Sequence, residues 1–317
     1  MNIVLLESLA VSEAELCRLA SPLEQAGHHF SFYTDGARAN AVLIERAKDA
    51  DILMVANSPL PEEVVAACTH LKLISVAFTG VDHIPLDYCT AHGITVSNCA
   101  GYSTESVAEL VFGLIFSLLR RIPACDAAAR SEQTKAGLVG FELRGKTLGI
   151  VGSGAIGLRV AALGAAFGCR LLCYSRTEKA EAKALGADYV SLKALMERSD
   201  IVSLHLPATP ATKGLISAEL IAKMKPTALL INTARGTVVD SDALAAALRE
   251  KRIAGAGIDV FETEPPIPAS HPLCSAPNTV LTPHVAFASA ESMLVRADMA
   301  FDTVTSFLAG SPKNVMH

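Results

Sequence analysis

The chain has 317 residues, 51% hydrophobic and 19% charged, with 21 Gly and 15 Pro; that balance excludes a disordered, collagen-like or linker-like polypeptide. At about 150 residues per domain, the length predicts two cores or one large one. Setting 32 acidic against 27 basic residues leaves a net charge of −5 with no Lys/Arg block. This argues against nucleic acid and against a membrane surface as partners, and it means that a small anion must be held by a local device.

Short β-like runs alternate with helical ones over the first hundred residues: 2–6, 29–33, 51–55 and 71–77 read as strands, and 13–26, 39–48 and 61–68 as helices. One long helix is expected over 103–129. Its most apolar part, 110–119, is ten residues long, whereas a spanning helix needs about twenty, so it reads as a buried helix. A second series follows, with strands at 147–151, 170–174, 201–204, 228–231 and 254–260 and helices at 156–167, 178–185, 192–198, 217–224 and 240–250. Ser191 and Asp240 stand where N-caps would. The stretch 262–277 holds five prolines and must be irregular, because proline removes a backbone donor and disfavours helix at the residue before it. Residues 279–281 read as a last strand and 288–308 as a closing helix.

Strands alternating with helices imply βαβ units and parallel sheets. The expected fold is α/β with two doubly wound parallel-sheet domains: 1–98 plus 286–317 as a flavodoxin-like substrate domain, and 99–285 as a larger Rossmann domain inserted in it. Eight cysteines without a Cys-x-x-Cys pair, and no secretory signal, favour reduced thiols, a cytoplasmic protein and no metal site.

The strongest local signal is Lys146-Thr-Leu-Gly-Ile-Val-Gly152-Ser-Gly154-Ala-Ile-Gly157, an apolar strand running into Gly-x-Gly-x-x-Gly and then a helix. Gly152 allows the tight turn, Gly154 lets a pyrophosphate approach the backbone and Gly157 lets helix and strand pack closely, while free amides and the helix dipole hold the phosphates. An NAD site usually has an acid at the end of the next strand, for the ribose 2′-OH; this chain has Ser175-Arg176-Thr177, three residues suited to a 2′-phosphate. NADP(H) is therefore favoured and NAD(H) remains possible. The alternative for Arg176 is a solvated surface residue.

Arg235, Glu264 and His284 each follow an apolar strand, and in an open parallel sheet the ligand site lies beyond the carboxyl ends of the strands. With their flanks, Asn232-Thr-Ala-Arg-Gly236, Gly257-Ile-Asp-Val-Phe-Glu-Thr-Glu-Pro265 and Thr282-Pro-His284, at an Arg-to-Glu spacing of 29, they resemble the D-isomer-specific 2-hydroxyacid dehydrogenases. So do Gly80-Val-Asp82-His, Asn98, Thr104-Glu-Ser-Val-Ala-Glu109, Glu142-Leu-x-Gly-Lys-Thr-Leu-Gly149 and Asp200-Ile-Val-x-Leu-His-Leu-Pro207, so that the resemblance covers nearly the whole chain.

The resemblance implies that Arg235 grips the substrate carboxylate and carbonyl oxygen, that His284 exchanges a proton with that oxygen, and that Glu264 pairs with His284 to favour its charged form. It implies that the first domain contributes the amides of Thr79 and Gly80, next to Phe78, and that Thr104, Ala155, Ile156, Leu206, Pro207, Thr212, Thr233, Ala234, Asp259 and His284 fall along the cofactor. For Asp259 a hydrogen-bonded strand-end carboxylate is the alternative. Phe78 replaces a frequent glycine of the family, and Val285-Ala-Phe287 a frequent glycine pair; Phe78 and Phe287 either crowd the pocket or are ordinary core.

The expected activity is reversible hydride transfer between a nicotinamide cofactor and a small 2-oxo or 2-hydroxy acid, with hydroxypyruvate or glyoxylate reduction in front. A phosphoglycerate dehydrogenase is the runner-up, on Gly140-Phe-Glu-Leu-x-Gly-Lys; against it stand a chain ending at His317, with no room for an appended regulatory domain, and a first half without a basic phosphate-binding cluster. A nucleotide-dependent binding or co-regulatory protein is the alternative of another class. A homodimer through the apolar helix around 107–119 is implied by the family.

Overall fold

The apolar runs of the first series become strands β1 (Asn2–Leu5), β2 (His29–Phe32), β3 (Ile52–Val55), β4 (Leu73–Val76) and β5 (Thr95–Asn98). Those of the second become β6 (Thr147–Val151), β7 (Arg170–Tyr174), β8 (Asp188–Tyr189), β9 (Ile201–Leu204), β10 (Leu229–Asn232), β11 (Gly255–Ile258) and β12 (Thr279–Leu281), and β13 (Val315–Met316) closes the chain. This is a computed structural model that describes residues 1–263 and 266–316.

The chain divides into one unit of Met1–Ser103 with Ala288–His317 and another of Thr104–Phe287. The first holds a six-stranded sheet of order β13-β5-β4-β3-β1-β2, parallel except for β13, which runs antiparallel to β5. The second holds a seven-stranded parallel sheet of order β12-β11-β10-β9-β6-β7-β8. Its direction of winding reverses at β6, the switch point at which open α/β sheets take ligands. Strands β3, β4, β6, β9, β10 and β11 are buried along their whole length, as central strands covered on both faces must be.

Local signals place the helices. Ser12, Ser191 and Asp240 each accept a backbone N–H three residues ahead, at Glu15 (3.2 Å), Ala194 (3.2 Å) and Ala243 (2.9 Å), which satisfies a first-turn donor that has no partner within the helix. The closing helix Ala290–Leu308 is capped by Ser289 and lays Met293, Ala297, Ala300, Phe301 and Val304 on the core. Among the described residues no helix is long and apolar enough to cross a membrane.

Several expectations need correction. The single helix over 103–129 is two, Thr104–Leu119 and Ile122–Arg130, with Arg121 between them in the left-handed region at φ 55° and ψ 37°; Pro123 opens the second helix and cannot continue the first. The helix Leu86–Ala91 and strands β5, β8 and β13 were not among the expected elements: each is short, and two of the strands have only two residues. The boundaries between the units lie at 103/104 and 287/288 rather than 98/99 and 285/286. Cys99 N–H donates to Phe78 O (3.0 Å) and Tyr102 packs on the Phe78 ring, which keeps 99–103 with the first unit, while the bonds of Val285 and Ala286 to Asp259 keep them with the second.

Candidate active site

The carboxyl ends of six neighbouring strands of the second sheet carry the chemistry-bearing residues. At the end of β6, Gly152 has φ +104°, and a Cβ there would run into the His205 carbonyl; a Cβ on Gly157 would meet the Gly152 carbonyl. Both positions are therefore closed to larger residues. Gly154 is the reverse: it is the N-cap of the helix Ala155–Ala166, without a side-chain cap, and nothing lies within 4 Å of a Cβ built on it. The first turn of this helix thus has no side-chain cap and open space at its N-cap, and with the positive end of the helix dipole there the arrangement suits an anion. Nearby, burial lowers the pKa of the His205 imidazole, and a 2.9 Å hydrogen bond joins its Nε2 to the Ser203 hydroxyl.

At the end of β10 the fully buried Asn232 side chain closes the turn that presents Arg235. Its Oδ1 accepts from Ala234 N–H (3.0 Å) and its Nδ2 donates to Arg235 O (2.9 Å). The half-buried Arg235 donates to Ala234 O at 2.9 Å, and Gly236 after it admits no side chain because a Cβ would run into the Phe261–Glu262 peptide. Thr233 is 8% exposed and its hydroxyl has no hydrogen-bond partner among the described residues, so a buried polar atom beside Arg235 awaits one.

At the ends of β11 and β12, Asp259 holds the loop that carries His284. Asp259 is fully buried. Its Oδ1 accepts from Thr282 Oγ1 (2.6 Å) and Val285 N–H (2.9 Å), its Oδ2 from Ala286 N–H (2.9 Å), and its backbone carbonyl from His284 N–H (2.7 Å). His284 itself has φ 55°, a left-handed conformation that costs about 1 kcal/mol for a residue with a Cβ. The Asp259 bonds on both flanks hold the backbone in that shape, so the strand-end carboxylate left open by the sequence has a clear positional task. The Phe287 ring stands edge-on to the imidazole at 5.4 Å and 87°. Strands β10 and β12 are separated only by β11, which puts their axes about 10 Å apart. Glu264 lies outside the described residues, and with it the expected pairing to His284.

The remaining sequence candidates are placed as follows. Ser175 is half-buried, while Arg176 and Thr177 are exposed at the end of β7. Thr212 Oγ1 donates to Pro207 O (2.6 Å), tying the turn after Leu206. Thr104 opens the helix Thr104–Leu119. In the first unit, Thr79 is exposed and Gly80 half-buried, and Asn98 Nδ2 donates to Thr79 O (2.7 Å); Phe78 is 5% exposed and packs on His83 and Tyr102, so it is core in that unit. Asn232 escaped the sequence reading as a working residue. A polar residue closing an otherwise apolar strand was its available signal.

A glycine turn on the switch-point strand, a helix start without a side-chain cap behind it and an orphan hydroxyl on the same sheet edge fit a dinucleotide. The comparisons with known proteins agree. Residues 112–286 match the model of the D-isomer specific 2-hydroxyacid dehydrogenase NAD binding domain. The chain is 41% identical over 284 residues to the glyoxylate reductase of Korarchaeum cryptofilum, covering 87% of this chain and 85% of that one. It is 39% identical over 283 residues to the glycerate dehydrogenase of Methylorubrum extorquens, covering 86% and 88%. Its fold matches, at TM-score 0.91, 29% identity and 100% of both chains, an acyclic imino acid reductase solved with NADPH and D-Arg. The chain belongs to the D-isomer specific 2-hydroxyacid dehydrogenase family. It is a nicotinamide-dependent oxidoreductase acting on a CH–OH group.

Proposed function

We propose that the enzyme reduces glyoxylate or hydroxypyruvate to glycolate or D-glycerate, with NADPH favoured over NADH. The observation that carries this reading is the common sheet edge of the glycine turn, Arg235 and His284, in a chain 41% identical to a glyoxylate reductase. The bound nicotinamide supplies the hydride. Arg235 grips the carboxylate and the adjacent carbonyl oxygen with its planar fork. His284, in its protonated form, gives a proton to the carbonyl oxygen, and a carboxylate at Glu264 favours that form.

For the nucleotide, Gly152 makes the tight turn, the amides at Gly154, Ala155, Ile156 and Gly157 take the pyrophosphate, and Ser175, Arg176 and Thr177 take the 2′-phosphate. Thr104, Leu206, Pro207, Thr212, Thr233 and Ala234 line the rest, while the fully buried Asp259 holds the His284 loop in place. Ile122, Val139, Phe141 and Phe167 are exposed apolar residues of the second unit; Phe141 N–H is bonded to Leu119 O, and Phe167 packs on Phe112 and Phe116. Exposed Phe141 and Phe167 against the helix Thr104–Leu119 suit a homodimer through that helix, and eight unpaired cysteines suit the cytoplasm.

The test is a panel of glyoxylate, hydroxypyruvate, pyruvate and phenylpyruvate with NADPH and with NADH. The expected result is the highest kcat/KM with one of the first two acids and NADPH. A clear NADH preference refutes the nucleotide assignment, and no turnover with any 2-oxo acid refutes the function. A solution mass near one chain rather than two refutes the dimer.

A further inference from the structure

We infer that the Tyr189 hydroxyl is the positioning group for recognition of the 2′-phosphate, because it locks the loop after β7 to the glycine turn after β6. The inference deepens the NADPH reading and rests on it. Tyr189 O–H donates to Ser153 Oγ (2.9 Å) and accepts from Lys179 N–H (2.9 Å). Ser153 stands inside the glycine turn and is 1% exposed; Lys179 ends the loop that contains Ser175, Arg176 and Thr177. Since β7 lies between β6 and β8 in the sheet, the phenol bridges across β7 to make the first bond. At the other end of the same loop, Gly152 N–H donates to Tyr174 O (2.8 Å). The loop 175–178 is therefore tied at both ends to the turn that is assigned the pyrophosphate.

Such a tie matters for one kind of ligand. The 2′-phosphate and the 5′-phosphate of an adenosine nucleotide hang from a single ribose at a nearly fixed separation, so a ligand carrying both is held well only if the two protein loops keep their mutual position. A ligand with the 5′-phosphate alone uses the glycine turn and does not sense where the second loop lies. The charges of the loop are suited to an anion: Glu178 is paired with Lys183 (2.5 Å), and Arg176 has no ion pair among the described residues. Removal of the phenolic oxygen leaves the Ser153 hydroxyl and the Lys179 amide without this partner and frees one end of the loop, while the ring that packs there is kept.

The test compares Tyr189→Phe with wild type in calorimetric titrations with adenosine 2′,5′-bisphosphate and with adenosine 5′-monophosphate, alongside kcat/KM for NADPH and NADH. For wild type the bisphosphate is expected to bind more tightly. In the variant its Kd rises about five- to tenfold while that of the monophosphate changes by twofold at most, and the NADPH/NADH ratio of kcat/KM falls in step. A purely structural role would move both ligands together. Equal losses for the two ligands, or an unaltered ratio in a wild type that discriminates, overturn the assignment of Tyr189 alone. A wild type that binds the monophosphate as tightly as the bisphosphate overturns the NADPH reading and this inference with it.

Discussion

The two units solve the same problem at the amino ends of their strands and different problems at the carboxyl ends. In the first unit Asp51, just before β3, accepts from Asn2 N–H (2.9 Å) and Lys72 Nζ (3.0 Å), and its own N–H and C=O bond to Asn2 and Lys72. In the second, Asp200, just before β9, accepts from Thr147 N–H (2.8 Å) and Lys225 Nζ (2.8 Å), and its backbone bonds to Thr147 and Leu229. One aspartate thus pins the start of the first strand to the start of the next in both sheets. At the opposite edge, β1 is followed by a seven-residue loop (6–12) and a helix capped by Ser12, with Glu13 and Glu15 in its first turn. β6 is followed by three residues (152–154) and a helix with neither a side-chain cap nor a first-turn acid. A hydroxyl caps one helix, with two acids in its first turn; the other helix has neither, which suits a ligand anion. One edge stabilises the sheet, and the opposite edge decides whether it can bind a nucleotide.

That division can be attacked from both sides, and the largest effect is expected at the carboxyl edge. Replacing His284 with Asn, a residue that tolerates positive φ better than most, should lower kcat by about 10²-fold, the usual scale for loss of a general acid. The melting temperature should hold, because the Asp259 bonds that shape the loop go to backbone groups and Thr282. A near-normal kcat would remove His284 from the mechanism. Next in size is Gly154→Asp, which gives the helix Ala155–Ala166 the side-chain cap and the acid that it lacks and that the helix after β1 has. The Cβ meets nothing, so the protein should fold, but a carboxylate would then cover the amides. Nucleotide affinity should fall about thirtyfold, corresponding to about 2 kcal/mol of helix-end electrostatics. Undiminished binding in a fluorescence titration would mean that the phosphates bind elsewhere.

The two edges were not equally legible in the sequence. The glycine turn, Arg235 and His284 could be read because local chemistry announces them: a short glycine spacing after an apolar run, and a polar residue where such a run stops. The Ser191 and Asp240 caps are equally local. What escaped depends on partners far along the chain. Asp200 sits in a recognisable stretch, yet its bonds reach 53 residues back and 25 forward. Tyr189 reaches 36 residues back to Ser153, and Asp259 reaches across to the next strand. Strand β8 has two residues and no pattern to detect. The helix break at Arg121 was readable from Pro123 and was lost because the apolar periodicity continues past it.

The amino edge should respond in stability rather than in turnover. Burial by itself would raise the carboxyls of Asp51 and Asp200, but the amide and ammonium donors outweigh it and hold both below the ordinary carboxylate value. A carboxyl lowered on folding contributes stability that is fully present above its unfolded pKa of about 4 and is lost as pH falls through the folded value. Asp51→Asn and Asp200→Asn should each cost about 2 kcal/mol at neutral pH, on the scale of hydrogen bonds to a charged group. The gap from wild type should close below about pH 4, with kcat/KM of the folded enzyme kept. A constant gap from pH 7 to pH 3 in denaturant titrations would show that the charge contributes nothing.

The smallest effect separates the two helices most sharply. Ser12→Ala removes a 3.2 Å cap bond at a solvent-exposed helix start, where such a loss is usually about 1 kcal/mol. Glu13 and Glu15 remain in the first turn and continue to favour the positive helix end, so the cost should fall in the lower part of that range. Because the amide released belongs to a turn that still carries Glu13 and Glu15, it should not become an anion site. The variant should lose stability in denaturant titrations and gain no affinity for adenosine 2′,5′-bisphosphate. If Ser12→Ala created nucleotide binding at the first unit, the missing cap alone would define the site, and the short glycine turn of the second unit would lose its explanatory role.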